Sequence, residues 1–286
     1  MEKKHTLTGN IKQHRGFESR ILHNRRDILV YLPRGYGRAR GRRYPVLYLH
    51  DGQNVFDAAT AFGGVEWGAD ETAQRLTRER LIEPLIIVAV PNMGDDRIHE
   101  YAPSRGVIDS SAPRKKRSKG MLRKYGRFLR DELKPFIDRK YRTRPEAEFT
   151  GLGGASLGGL ATLALGLWYP KTFHRLAVMS PSVWWDDCHI YRILDQVEKK
   201  LPLKIWLDTG TEEPGWERAR ELRDRLAKRG WRLDDDLHYT EAQGADHSER
   251  SWAARFEAVL RFLYPPAPPG VTGTSPKAMV LEAALR

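Results

Sequence analysis

Ser156 lies in Gly154-Ala155-Ser156-Leu157-Gly158, a glycine-x-serine-x-glycine pentapeptide. That pattern suits a strand that turns abruptly into a helix and leaves one hydroxyl exposed at the tip, with glycines where a Cβ would clash. A serine hydroxyl is a weak nucleophile until a base takes its proton, and the base must itself be oriented by an acid. The histidines after Ser156 are His174, His189, His238 and His247. His238 falls inside a strand-like run and His174 in the turn before one. His247 sits in the loop-like Gln243-Gly-Ala-Asp-His247-Ser, directly before a helical run. The chain order serine, acid, histidine makes His247 the base. The acid should leave the strand before the last one, and three carboxylates qualify: Asp208 at the strand end, and Glu212 and Glu213 in the loop beyond Gly210. A tetrahedral oxyanion needs two N–H donors. The residue after the nucleophile, Leu157, supplies one, and Gln53, in the loop Asp51-Gly-Gln-Asn54, is positioned to supply the other. The competing reading of each motif is an ordinary glycine-rich turn.

These side chains need a scaffold that gathers loops at one edge. Residues 7–32 read as a β-hairpin region, and the apolar run Pro45–His50 as a central strand delivering the Gln53 loop. A helix over 67–81, a strand over 85–90 and an amphipathic helix over 120–139 follow. After the serine come a helix rich in small residues and leucine, a strand over 175–180, a helix over 190–199, a strand over 203–208, a helix over 216–229, a strand over 237–241 and a helix over 249–263. This alternation predicts an α/β fold: a mostly parallel sheet with helices on both faces, in one domain over 1–264. From Pro265 to residue 286 the composition turns to Pro, Gly, Ala and Thr, which reads as a loosely held tail.

With 286 residues, 40% of them hydrophobic, the chain can bury a large core. The single cysteine, Cys188, permits no internal disulfide, and the first residues carry no apolar signal-like core, so a cytoplasmic location is expected. No apolar run is long enough to span a membrane. The formal net charge is +12. The excess is dispersed, without aromatic interleaving or zinc-ligand spacing, so nucleic acid is not an expected partner. The basic stretch within 104–120 reads as a mobile surface loop edging the site.

The chain resembles the esterase D-like branch of the α/β hydrolases, the broad "putative esterase" family, which includes enterochelin, feruloyl and acetyl-xylan esterases, S-formylglutathione hydrolase and the mycolyltransferases. The matching stretches are Tyr31-Leu-Pro-Arg-Gly-Tyr36, Tyr44 to Phe56, Glu132 to Thr143, Gly154 to Gly159, Ser180-Pro-Ser-Val-Trp-Trp185, Gly210-Thr-Glu-Glu213 and Gly244-Ala-Asp-His247. The resemblance implies an α/β-hydrolase fold and two-step acyl transfer by Ser156 and His247. It places the acid at Glu213, where many relatives have Asp, and the oxyanion donors at Gln53 and Leu157. It implies no metal or organic cofactor. The expected substrate is a small ester, either siderophore-like or a simple acyl ester. Trp67, Trp184 and Trp185, with Phe56 and Phe62, are candidates for an aromatic pocket, and Arg97 and Arg105 for contact with an anionic or catecholate group. The alternative class is a non-catalytic α/β-hydrolase-fold binding module. Oligomeric state is not readable from the sequence.

Overall fold

The computed structural model describes residues 4–109 and 116–266. The chain enters as an antiparallel hairpin, β1 (Asn10–Ser19) and β2 (Asn24–Leu32). Strand β3 (Val46–His50), helix α1 (Ala69–Arg78), strand β4 (Ile86–Val90) and the short helix α2 (Arg97–Tyr101) follow. Two short strands, β5 (Val107–Asp109) and β6 (Lys116–Arg117), pair with each other. Helices α3 (Leu122–Arg127) and α4 (Lys134–Lys140) lead to β7 (Thr150–Ala155) and α5 (Leu157–Trp168). The remainder alternates: β8 (Arg175–Met179), α6 (Trp185–Asp195), β9 (Lys204–Gly210), α7 (Glu217–Lys228), β10 (Leu237–Ala242) and α8 (Glu249–Leu263).

Eight strands form one sheet in the order β1-β2-β4-β3-β7-β8-β9-β10. It is parallel from β4 to β10 and antiparallel only at β1 and β2. Successive residues of the central strands face opposite cores, as the period of two requires. Val46, Tyr48 and Val88 pack under α3, α5, α6 and α7 with Leu122, Leu160, Ile193 and Leu222. Leu47, Leu49 and Ile87 pack under α1 and α8 with Leu76, Phe256 and Leu260. Strands buried on both faces explain why Pro45–His50 and Leu85–Val90 read as continuous apolar runs rather than alternating ones.

The structure departs from the sequence reading in four places. The helix expected over 120–139 is interrupted at Phe128–Leu133 by a π-helical stretch that ends two residues before Pro135. Proline has no N–H and collides with the preceding turn, and a wider turn there lets the chain continue as a helix. Helix α6 opens with Asp186, Asp187 and Cys188 in the left-handed region, so its right-handed part begins near His189, close to the predicted start. Strand β9 runs to Gly210, which places Asp208 inside the sheet rather than at its exit. The ends of the basic segment are anchored: β5 pairs with β6, buried Ser118 donates to the Ile98 carbonyl, and the Lys119 N–H donates to His99 Nδ1. Of the 104–120 segment, residues 110–115 lie outside the described residues, as does the expected tail from 267 onward. Among the described residues no helix is long and apolar enough to cross a membrane.

Candidate active site

The loops that carry Gln53, Ser156, Trp184, Glu213 and His247 leave the C-terminal edges of parallel strands, where open α/β sheets form their crevice. Ser156 is the single residue between β7 and α5, with φ 60 and ψ −124. A non-glycine residue at positive φ carries backbone strain, and the surroundings must impose it. Here the Ser156 N–H donates to the Met179 carbonyl of β8, and the Ser156 carbonyl accepts from Ser182 N–H. Directly after the pentapeptide, Gly159 presses on β8: a Cβ there would lie 2.5 Å from the Met179 carbonyl oxygen.

Strand β9 exits into Thr211-Glu212-Glu213, and β10 exits into the segment that carries His247. The two loops are stitched together by Thr211 N–H to the Ala242 carbonyl and Glu212 N–H to the Ala245 carbonyl. Gly210 allows that approach, since a Cβ on it would sit 2.1 Å from the Ala245 oxygen. Glu213 curls back, and its Oε2 accepts from His247 Nδ1 at 2.8 Å. Its other oxygen, Oε1, accepts from the Gly210 N–H at 2.7 Å and from Ser180 Oγ at 2.5 Å. Glu213 is buried, and the His247 ring stands edge-on to Trp252 with centroids 5.0 Å apart. With Nδ1 committed to the carboxylate, Nε2 is the ring nitrogen left to accept a proton. The Ser156 hydroxyl is 3.3 Å from Ser182 Oγ and makes no hydrogen bond to His247 in this conformation. Such pairs commonly tighten only around a bound substrate.

Of the three carboxylates open to choice, Glu213 is the one bonded to His247. Glu212 is exposed, and Asp208 is fully buried behind the site, bonded to Trp206 Nε1, Arg255 and the Ser180 N–H. Burial pushes the Asp208 carboxyl above its ordinary pKa, with Arg255 and the hydrogen bonds offsetting only part of that.

The β3 exit forms a tight turn, Gly52–Asn54, after Asp51 in the left-handed region. Gly52 is wedged against β4, where a Cβ would lie 2.5 Å from Val90 N. The backbone N–H of Gln53 has no acceptor among the described residues, and neither has that of Leu157 at the start of α5. The loop is held by its acid. Asp51 accepts from Arg97 Nε and Nη2, at 2.7 and 2.8 Å, and from Asn92 Nδ2 at 2.7 Å. Burial alone would raise the Asp51 carboxyl, but Arg97 outweighs it and the net pKa lies below the ordinary value. His50 beneath the elbow is buried, which lowers its pKa to about 4 and keeps it neutral, with Nδ1 3.0 Å from Tyr125 Oη.

Two clefts of about 320 and 330 Å³ meet at Ser156 and His247. The first is walled by Val183, Trp184, Thr209, Pro214, Trp216 and Arg218. The second is walled by Gln53, Phe62, Trp67, Arg97, Glu249 and Trp252. Trp184 lines the first cleft and Trp67 the second. Trp184 is 52% exposed, whereas Trp67 is largely buried against Trp252 and Phe256. The expectation for Trp185 needs correction. It is 1% exposed, lies under Gly106 and donates from Nε1 to Ser104 Oγ, because adjacent residues around a turn point to opposite sides. Phe56 is likewise core, while exposed Phe62 lines the second cleft. Arg97 reaches the second cleft with its charge matched by Asp51, and Arg105 is exposed at the base of the β5–β6 ribbon. Sequence reasoning missed Ser180, Ser182, Arg218, Trp252 and Arg255. Their signal was positional: Ser180 and Ser182 follow a central strand, and Trp252 and Arg255 lie one turn apart on the helix after His247.

A family model described as "Putative esterase" matches residues 19–263. An uncharacterized Bacillus subtilis protein, YbbA, is 23% identical over 267 residues, covering 90% of this chain and 97% of its own. The ferri-bacillibactin esterase BesA of the same organism is 27% identical over 205 residues, covering 64% of this chain and 67% of its own. The crystal structure of an IroE-like serine hydrolase from Shewanella oneidensis superposes with a TM-score of 0.72 at 22% identity, covering 89% of this chain and 80% of that one. The matched span takes in every strand of the sheet from β2 onward and the loops that carry Ser156, Glu213 and His247, and the chain belongs to the "putative esterase" family of α/β-hydrolase-fold ester hydrolases.

Proposed function

We propose that the protein is a serine carboxylic-ester hydrolase working through an acyl-enzyme. The observation that carries this reading is the 2.8 Å bond from His247 Nδ1 to buried Glu213, beside a strained serine at the head of a helix and at the junction of two clefts. His247 Nε2 takes the Ser156 proton as Oγ attacks the ester carbonyl. The Gln53 and Leu157 N–H groups receive the oxyanion, the imidazolium returns its proton to the departing alcohol, and water then repeats the sequence on the acyl-serine. Glu213 keeps Nδ1–H in place and stabilises the imidazolium without taking the proton itself.

One cleft takes the acyl portion and the other the alcohol. Aromatic walls at Trp184 and Trp216 on one side, and at Phe62, Trp67 and Trp252 on the other, favour a flat or aromatic ester over a long flexible chain. Arg218, which has no carboxylate partner among the described residues, adds a free cation to the first cleft and favours an anionic or catecholate-like group there. The siderophore ester named for the Bacillus relative fits those two properties, as does a simple aromatic acyl ester. No step calls for a metal or an organic cofactor. The chemistry is intracellular in this reading, with no nucleic acid or membrane as partner.

The test is hydrolysis of p-nitrophenyl butyrate, with fluorophosphonate labelling, by the wild type and by Ser156→Ala. Wild-type turnover and labelling, both lost in the variant with kcat lower by at least about 10³-fold, is the expected result. A folded wild type that neither labels nor turns over any of a panel of esters would make the chain a binding module instead.

A further inference from the structure

Behind the Glu213–His247 pair lies a second layer of charge that the acyl-transfer steps do not use. Arg255 of α8 is buried, and its Nη2 is 2.8 Å from Ser180 Oγ, 3.2 Å from Asp208 Oδ1 and 3.7 Å from Glu213 Oε1. One guanidinium nitrogen thus stands between two buried carboxylates. Ser180 is the hub: its hydroxyl donates to Glu213 Oε1 and accepts from Trp252 Nε1 at 3.0 Å and from Arg255. One donor and two lone pairs are the whole capacity of a hydroxyl, so this one is fully used. Ser180 itself holds a φ of 39, and its N–H is fixed by both the main-chain carbonyl and the side chain of Asp208. Non-glycine strain of that kind persists only where the surroundings over-determine it.

We propose that Arg255 is a positioning residue for the reaction, a cation shared between Asp208 and Glu213 that fixes the charge and direction of Glu213 through Ser180. The proposal rests on the serine-hydrolase reading and goes beyond it by assigning the layer that holds the acid. Two buried carboxylates around one guanidinium nitrogen repel each other, and the shared cation offsets that repulsion. The charged groups facing Glu213 are Arg255 from α8, Asp208 from β9 and His247 from the loop before α8. Arg218 from α7 lines the cleft on its open side, and Glu212 is its exposed neighbour in the chain.

The experiment is the pH dependence of kcat and KM for p-nitrophenyl butyrate in Arg255→Met, Arg255→Lys, Ser180→Ala and the double variant Arg255→Met/Asp208→Asn, with fold checked by circular dichroism. Removing the cation leaves excess negative charge beside the imidazole. Arg255→Met should therefore lower kcat about tenfold to a hundredfold, hold KM within about twofold, and move the acid limb of kcat/KM up by about one pH unit. Arg255→Lys should restore most of the rate and the wild-type limb. The double variant, with both charges gone, should bring the limb back while kcat stays low. Ser180→Ala should lower kcat about tenfold with the limb unmoved, and it stands as the test if Arg255→Met does not fold. A folded Arg255→Met with a wild-type profile, equal losses in the Met and Lys variants, or a Ser180→Ala variant with full kcat would overturn the proposal. Fluorophosphonate labelling of the wild type separates this outcome from failure of the serine-hydrolase reading, which would abolish labelling itself.

Discussion

Ser156, Glu213 and His247 are each held by contacts from other parts of the fold. Ser156 is strained at φ 60, Glu213 is buried, and His247 is held edge-on to Trp252. The acid is the residue at which chemistry and geometry separate most clearly. In Glu213→Gln, the amide places a donor where the Nδ1–H needs an acceptor, and the imidazole turns to the tautomer that cannot take the serine proton. We expect kcat to fall about 10²- to 10⁴-fold with KM nearly unchanged, measured by initial rates on p-nitrophenyl butyrate. Asp208→Asn alone should cost far less activity, because Asp208 does not touch the imidazole. Comparable losses in the two variants would mean that the acid had been misassigned. Arg97 invites a different error. A basic residue in a cleft suggests anion recognition, yet its charge is matched by Asp51, which takes Nε and Nη2. Arg97→Met leaves a buried carboxylate unpaired, so it should destabilise the protein by roughly 2–4 kcal/mol in urea unfolding. It should also lower kcat on neutral and anionic esters alike. A selective rise in KM for anionic esters would instead make Arg97 a substrate contact.

At the scale of elements, the site depends on how closely the loops press on the strands beside them. The β3 exit loop lies directly on the end of β4, and Gly52 is where the contact is closest. Gly52→Ala must push that loop outward by forcing a Cβ into the backbone of residues 89–91. The Gln53 N–H then moves away from the oxyanion, and loss of one such donor costs about 10² in rate. We expect a fall of that order in kcat, with fluorophosphonate labelling slowed in proportion; unchanged labelling kinetics would remove Gln53 from the oxyanion site. The last helix matters in a different way. It places Trp252 and Arg255 on the face that looks back at β8 and β9, so one element both covers the second core and carries the support for the acid.

For the whole molecule, one strongly perturbed carboxyl lies away from the active centre, where the N-terminal segment crosses α1. Asp70 is fully buried. Its Oδ2 accepts from the Thr8 N–H and Oγ, while Oδ1 has no partner among the described residues. Burial, then the neighbouring Glu71 carboxylate, raises its pKa from 3.8 to about 7. The folded protein therefore keeps a proton that the unfolded chain releases at much lower pH. The resulting stability is complete below the unfolded value and is lost as pH rises towards 7. Asp70→Asn keeps an acceptor for Thr8 and abolishes the titration. It should raise Tm by about 2–4 °C at pH 8 and change it little at pH 5, as differential scanning calorimetry would show. A variant equally stabilised, or destabilised, at both pH values would contradict this account.

Several features of this protein were legible in the sequence because local pattern determines them. Doubly buried strands must be continuous apolar runs, helices must repeat at about 3.6 residues, and a tight strand-to-helix turn needs its glycines, so the parallel sheet, its helices and the turn at Ser156 could be read directly. His247 followed from order along the chain, since it occupies the loop after the last strand. The carboxylate bonded to His247 did not follow in the same way. Asp208, Glu212 and Glu213 lie within six residues, and only the strand's continuation to Gly210 and the turn beyond it decide which carboxylate reaches the imidazole. Trp184 and Trp185 are adjacent and alike in sequence, yet one faces the cleft and the other the core. Arg255, Ser180 and Asp208 are distant in the chain and meet only because β8, β9 and α8 pack together. Propensity and periodicity act over a few residues. The charges and hydrogen bonds that tune this site act over a few ångströms between segments far apart in sequence, so only the tertiary fold brings them together.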